Sequence, residues 1–392
     1  MVSAFVYDAV RTPFGKYGKS LAGVRPDDLG ALVIKAVLDR NPGLDPGMID
    51  DVILGNANGA GEENRNLARM ALLLAGLPTS VPGVTVNRLC ASGIEAVVQA
   101  ARAIEVGDAE IVLAGGVESM SRAPWVLAKP ERPFPAGDQT LASTALGWRL
   151  VNPAMPREWT VSLGETAEQV AELLGIGREA QDRFALRSHR RAAAAWAQGR
   201  YADETVAVPG AVLDRDESIR EDTTLEALAA LKLAFRGAGQ GGCVTAGNAS
   251  PLSDGASAVL MGAEGAMDGE PLARITARGL AANEPHLMGI APVPAALKAL
   301  EKADLTWDDI DLVELNEAFA AQALGCLKLW PGLDPEKVNV DGGALAIGHP
   351  LGASGGRLVG HLAHSLHRRG GGRGLAAACI GVGQGLAVIL EG

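Results

Sequence analysis

The chain has 392 residues, enough for two or three domains built around sizeable cores. Its formal net charge of −11 argues against nucleic acid or an anionic membrane as the main partner, although a local basic patch can still hold an anionic ligand. Hydrophobic residues make up 48 % of the chain, yet no apolar run approaches the roughly 20 residues needed to cross a bilayer.

From the start, the stretch 1–15 reads as a first strand, because it lacks the basic start, apolar stretch and small-residue cleavage site of a signal peptide. The other end, Leu390-Glu391-Gly392, carries no tripeptide address, so a cytoplasmic location is expected. Short β-branched runs at 50–56, 109–116 and 311–316 alternate with alanine-rich amphipathic stretches at 92–107 and 355–370. That alternation predicts an α/β fold with parallel sheets covered by helices.

The chain also repeats itself. Ile49-Asp50-Asp51-Val52 matches Ile310-Asp311-Leu312-Val313, and from 49 to 310 is an offset of 261. Cys90-Ala91-Ser92-Gly93 matches Gly352-Ala353-Ser354-Gly355, and from 90 to 352 is an offset of 262. Each block stands before a long helix, with a short apolar strand after it at Ile111–Gly115 and Leu375–Cys379. Two similar halves are expected at 1–120 and 271–392. Residues 121–245 differ in texture, with prolines and tryptophans, a charged helix near 178–198 and a polar stretch at 214–226. They are expected to form a lid inserted into the first half, which would close over 246–270 with a strand at Ser257–Met261.

Four cysteines, at 90, 243, 326 and 379, lack metal-site or redox-pair spacing and should be reduced thiols. Cys90 follows a strand-like run and opens a helix, where the macrodipole and free amides favour thiolate. The small Ala91, Ser92 and Gly93 leave room beside it. The bland reading, a buried structural thiol, stays open. His349, between Gly348 and Pro350 just before a Gly-Ala-Ser-Gly helix start, is better placed to enter a cleft as a general base than to fill a core. Cys379 ends a strand and runs into Ile-Gly-Val-Gly-Gln-Gly, whose amides could face a developing oxyanion. Asn316 lies between a strand and a helix and could be either an N-cap or a group that orients a water. His361, His364 and His367 share one helix, but no carboxylate or thiolate accompanies them in sequence, so solvent exposure is expected rather than a metal site. Cys243 and Cys326 are expected to be inert.

Several of these stretches resemble the thiolase family. The matching motifs are Asn-Arg-Leu-Cys-Ala-Ser-Gly at 87–93, Gly-Gly-Val-Glu-Ser-Met-Ser-Arg-Ala-Pro at 115–124 and Asn-Glu-Ala-Phe-Ala at 316–320. Gly-His-Pro-Leu-Gly-Ala-Ser-Gly at 348–355 and Cys-Ile-Gly-Val-Gly-Gln-Gly at 379–385 complete the set. They occur in the family's order, and the similarity runs from Val2 to Leu390. The resemblance implies duplicated βαβαβαββ halves that form a five-layer αβαβα core with an inserted loop domain. It implies a ping-pong acyl transfer in which Cys90 is acylated, His349 is its base and Cys379 is the acid that protonates the departing acetyl-CoA carbanion. Asn316 (through a water) and His349 would form one oxyanion hole, and the amides of Cys90 and Gly381 the other. Coenzyme A enters as substrate, with no permanently bound cofactor and no metal, and the family's assembly implies a homotetramer. Thr-Ala-Gly-Asn-Ala-Ser at 245–250 resembles the family's pantetheine-contacting loop, which nominates Ser250, and Arg220 falls where the family places a basic contact to the nucleotide.

Within the family, residues 60–66, 147–153 and 220–228 look most like β-ketoadipyl-CoA thiolases. Ala91, Pro251-Leu252-Ser253 and Ala291 depart from that subgroup, which keeps an acetoacetyl-CoA or general 3-ketoacyl-CoA thiolase open as the alternative. A catalytically inactive, lipid-binding relative is the alternative of a different class, opposed by the presence of all four catalytic groups.

Overall fold

The computed structural model describes residues 2–392. The first part of the chain runs β1 (Ala4–Arg11), β2 (Gly15–Lys16), α1 (Pro26–Arg40), β3 (Asp51–Gly55), α2 (Leu67–Leu74), β4 (Gly83–Val86), α3 (Ser92–Val106) and β5 (Ile111–Ser119). Next come β6 (Trp125–Leu127), β7 (Leu141–Ser143), α4 (Leu163–Leu174), α5 (Arg178–Ala197) and α6 (Leu225–Ala229), before β8 (Ser253–Ala263) returns to the main sheet. The last part holds β9 (Ala273–Ala282), α7 (Pro292–Ala303), β10 (Leu312–Leu315), α8 (Ala320–Leu329), α9 (Ala344–Ile347), α10 (Leu351–Arg368), β11 (Arg373–Ile380) and β12 (Gln384–Glu391).

The strands lie in the order β10-β11-β12-β9-β1-β8-β5-β3-β4, with β2 beside β8. Read outward from the centre, the two sides are copies. β1, β8, β5, β3 and β4 on one side answer β9, β12, β11 and β10 on the other, and a parallel bridge from Val313 to Val338 stands where β4 would have its counterpart. In each copy the β3–β5 or β10–β11 pair is parallel and the pairs nearer the centre are antiparallel. Among the described residues, the strands of the two copies pair through Phe5 with Arg274 and Val6 with Ala273.

Layering follows from where the apolar side chains go. Ten of the fifteen residues of α3 are buried, as are fourteen of the eighteen of α10, so both helices are covered nearly all round. They pack on each other and touch strands of both copies. One apolar cluster joins Ile94, Val97, Val98 and Leu358, Val359, Leu362 to β1, β5, β11 and β12. A second lies under α1 and α2 on the outer face of the first copy, and a third under α7 and α8 on the second. The result is five layers, αβαβα. Small residues let the two central helices meet: a Cβ on Gly355 would lie 2.0 Å from the Ile94 nitrogen, and one on Gly93 would lie 2.6 Å from the Gly356 nitrogen.

This centre corrects one expectation. His361 and His364 do not face solvent, because α10 is an inner helix; only His367 is exposed. His361 Nδ1 lies 2.7 Å from Glu204 and its Nε2 lies 3.2 Å from Asp341. His364 Nε2 meets the Ala9 carbonyl at 2.8 Å. Around His361 a buried ionic cluster joins all three parts of the chain: Arg11 of β1 pairs with Glu204 and Asp216, and Arg357 of α10 pairs with Glu314. No helix among the described residues is long and apolar enough to cross a membrane.

Candidate active site

Cys90 sits in a 3-10 turn, Leu89–Ala91, between β4 and α3. Leu89 has a left-handed φ of 46°, a conformation that an ordinary residue holds only when its surroundings enforce it. The enforcement is visible. Ser92 Oγ accepts from the Arg88 amide at 2.9 Å and donates to the Leu89 carbonyl at 2.7 Å. The Arg88 guanidinium then spans Glu95 (2.8 Å) and Gln384 (3.0 Å), tying the turn to β12. The turn packs against both α10 and β11, which bring His349 and Cys379 to it.

Cys379 lies one residue from the end of β11 and is fully buried beside Phe319, Ala318 and Met288. The following turn, Gly381-Val382-Gly383, joins β11 to β12 with Val382 at φ 57°, a strained position for a β-branched residue. It sets the Gly381 amide toward the Cys90 sulfur, where that amide and the Cys90 amide both favour thiolate. Burial outweighs them and pushes the Cys90 thiol up to about 11. The expected low thiol pKa is therefore overturned for the resting protein: the helix terminus is present, but desolvation is the larger effect. Burial, and next the facing Cys90, also raise Cys379 well above the usual thiol value.

His349 follows Gly348, whose φ of 110° and 2.5 Å approach of a notional Cβ to Ser253 Oγ both require glycine. Three contacts orient the imidazole. Its backbone amide donates to Ser253 Oγ at 3.1 Å, Nδ1 meets Ser354 Oγ at 2.6 Å, and Nε2 meets Asn316 Nδ2 at 3.2 Å. The Ser354 hydroxyl donates its own hydrogen to the Pro350 carbonyl at 3.0 Å, so it accepts from Nδ1–H. Nε2 is then the bare nitrogen, accepting from the Asn316 amide. Burial lowers His349 to about 4, which keeps it neutral and able to take a proton. Asn316 is no helix cap, since α8 starts only at Ala320; its amide nitrogen donates to Ala377 and its side chain serves the imidazole.

Two residues escaped the sequence reading. Ser354 looked like one more small residue of a helix start, and only its contact with Nδ1 shows that it fixes the tautomer. Glu118, inside the 115–124 motif, is the last residue but one of β5, is buried and accepts from the amides of Ala57, Asn58 and Gly352. Burial raises its carboxyl to about 7 despite those donors, and its charge acts on Cys90. A carboxylate in a glycine-rich strand end was the available signal.

The two residues nominated for coenzyme A fare differently. Ser250 is half-buried, and its amide donates to the Ala318 carbonyl at 3.0 Å, so it borders the Asn316–Ala320 loop. Arg220 lies exposed on the insert, where its backbone amide and guanidinium meet His189. Nothing joins it to the Cys90 turn. The other thiols are engaged with groups of their own, although Cys326 lies near enough to act on Cys379: Cys243 Sγ meets Glu168 at 3.1 Å and is raised to about 11, and Cys326 Sγ meets the Gly289 carbonyl at 3.3 Å and is raised to about 12, burial being the main cause for both.

Residues 4–265 match the family model described as thiolase, N-terminal domain, and residues 269–392 match thiolase, C-terminal domain. The chain belongs to the thiolase family. It is accordingly an acyltransferase. Over its whole length it is 53 % identical to a β-ketoadipyl-CoA thiolase of Escherichia coli, with all of both chains covered. It is 51 % identical to a β-ketoadipyl-CoA thiolase of Pseudomonas aeruginosa (99 % and 98 % covered) and 46 % identical to an acetyl-CoA acetyltransferase of Chromobacterium violaceum (98 % of each). Among solved thiolases, the human mitochondrial 3-ketoacyl-CoA thiolase superposes with a TM-score of 0.92 at 40 % identity, covering 100 % of this chain and 98 % of that one. The layered core described above is thus a thiolase fold.

Proposed function

We propose that this thiolase cleaves 3-oxoadipyl-CoA with coenzyme A to succinyl-CoA and acetyl-CoA, through an acyl-enzyme on Cys90. The observation that carries the chemistry is a neutral, oriented His349 whose Nε2 carries no hydrogen, in a site holding two buried thiols; its contact with the Asn316 amide gives way as the Cys90 proton arrives. His349 takes the Cys90 proton as the sulfur attacks the 3-oxo carbon. The Cys90 and Gly381 amides, which face the sulfur, meet the oxyanion, and its collapse breaks the bond between C2 and C3. The electron pair leaves as the acetyl-CoA enolate, met on the Asn316–His349 side, and Cys379 protonates it. Coenzyme A then gives its thiol proton to the Cys379 thiolate and attacks the acyl-enzyme. Cys90 leaves and recovers its proton from His349, so the cycle closes without a co-reactant.

Resemblance to full-length relatives at about half identity supports the dicarboxylic acyl chain. A second reading, acetoacetyl-CoA, keeps the same chemistry and is favoured by the likeness to acetyl-CoA acetyltransferases. Coenzyme A is the only cofactor-like molecule involved and enters as substrate, past Ser250; Arg220 is the weaker contact. Location in the cytoplasm and a dimer of dimers complete the reading.

The test has two arms. Incubated with acetyl-CoA, Cys379→Ser should carry an acetyl group on Cys90 by mass spectrometry while turning over poorly. Cys90→Ala should carry none and show no thiolysis; an undiminished rate there ends the proposal. For the substrate, kcat/KM is compared on 3-oxoadipyl-CoA, acetoacetyl-CoA and a medium-chain 3-oxoacyl-CoA. A large margin for acetoacetyl-CoA would refute the dicarboxylic assignment.

A further inference from the structure

The insert brings two adjacent side chains to the site that the proposed chemistry does not use. A Cβ built on Gly381 would lie 2.9 Å from the Trp148 ring, so this tryptophan walls the turn whose amide faces the Cys90 sulfur. Its indole Nε1–H donates to the Val161 carbonyl at 3.2 Å, which fixes the ring. The next residue, Arg149, is half-buried and makes one hydrogen bond, Nη2 to Asn58 Oδ1 at 2.8 Å. Asn58 is itself buried and held on both sides. Its side chain donates to Thr144 at 3.0 and 3.2 Å, and its backbone amide donates to Glu118, the carboxyl group that acts on Cys90.

Arg149 therefore hangs between the Trp148 wall and the Glu118–Asn58 wall of the Cys90 site. It pairs with no carboxylate among the described residues. The contrast with Arg88 is direct, since that guanidinium is spent on Glu95. A planar guanidinium presents five N–H donors, and Arg149 uses one. A half-buried cation with an open donor fork, one hydrogen bond from the Asn58 that donates to Glu118, is a place for an anion.

We infer that Arg149 binds the terminal carboxylate of the acyl chain, so the enzyme selects 3-oxoacyl-CoA esters that end in a carboxylate. The inference rests on the proposed turnover of 3-oxoadipyl-CoA and names the residue that would recognise it. In that substrate the terminal carboxylate stands two methylenes beyond the carbonyl that Cys90 attacks. A carboxylate carried into a half-buried pocket needs a paired cation to offset its lost hydration. The chain with a methyl group in its place has no use for the cation.

The experiment compares kcat/KM on 3-oxoadipyl-CoA with that on 3-oxohexanoyl-CoA, which has a methyl where the carboxylate was. It is run on the wild-type protein, Arg149→Met and Arg149→Lys. The ratio of the two constants should fall about 10- to 150-fold in Arg149→Met, the range for a charged hydrogen-bonded contact. It should lie between the two in Arg149→Lys, which keeps the charge but loses the fork. A general loss of structure, or of coenzyme A binding, would lower both constants together and leave the ratio where it is; that result overturns the inference. If the wild-type protein itself prefers 3-oxohexanoyl-CoA, the substrate reading fails first and takes the inference with it. A wild-type preference for 3-oxoadipyl-CoA that survives in both variants overturns the role of Arg149 alone.

Discussion

Replacing Ser354 with alanine isolates the part of the site that sets the state of the base. In the folded protein the hydroxyl accepts from His349 Nδ1–H at 2.6 Å in a buried position, and its hydrogen is committed to the Pro350 carbonyl. Ser354→Ala leaves a buried ring N–H without a partner, which costs about 1–3 kcal/mol, or a 5- to 150-fold effect. The loss falls mainly on the transition state. As Nε2 takes the Cys90 proton the ring becomes positive, and its contact with Ser354 Oγ strengthens at that moment. Acylation of Cys90 should therefore slow by that factor while KM changes little. Rapid quenching of the enzyme with acetyl-CoA, followed by mass spectrometry, measures acylation directly; a thermal melt checks that the fold is retained. An acylation rate equal to that of the wild-type protein, or a loss confined to KM, would refute the claim that Ser354 holds the tautomer.

The buried cluster at His361 predicts a pH-dependent stability. Its neighbours Glu204 and Asp341 raise His361 from 6.5 to about 9 against the effect of burial, which corresponds to about 3 kcal/mol. For a raised histidine that stabilisation is complete below pH 6.5 and is lost as pH rises through 9. Urea unfolding of the wild-type protein should weaken across this window, and His361→Gln should start less stable and show a flatter profile; parallel profiles would contradict the ion pairs. Gly355→Ala should destabilise by about 3 kcal/mol or more and abolish thiolysis, since its Cβ would lie 2.0 Å from the Ile94 nitrogen. A native melting temperature with normal activity would show that the helices can part without consequence.

Much of this was legible in the sequence because repeats and motifs are local. The offset of 261 links β3 to β10, and the offset of 262 links the start of α3 to that of α10. The charged stretch at 178–198 is α5, Arg178–Ala197. The strand expected at Ser257–Met261 is the middle of β8. Cys90, Asn316, His349 and Cys379 could be nominated because each stands at a strand end or helix start, three of them with glycine within three residues. What depends on burial could not be read. The dipole that favours the Cys90 thiolate is visible in a string of residues, whereas the desolvation that overrides it is not. His361 and His364 carry a polar signature on a helix ending in two arginines, and only the layering shows that helix to be enclosed. Trp148 and Arg149 lie in a loop without periodicity, so their approach to Gly381 and Asn58 is a purely tertiary fact.

The backbone-to-backbone crossing of α3 and α10 welds the Cys90 turn to the His349 turn, since neither helix can slide while Gly93 and Gly355 fill the gap. The side chains that would meet the acyl group's far end come from a different part of the chain, which carries no nucleophile and no base. The four catalytic groups and the side chains at 148 and 149 thus come from separate parts of the chain, yet a change at 148 would also reach the turn that carries the Gly381 amide.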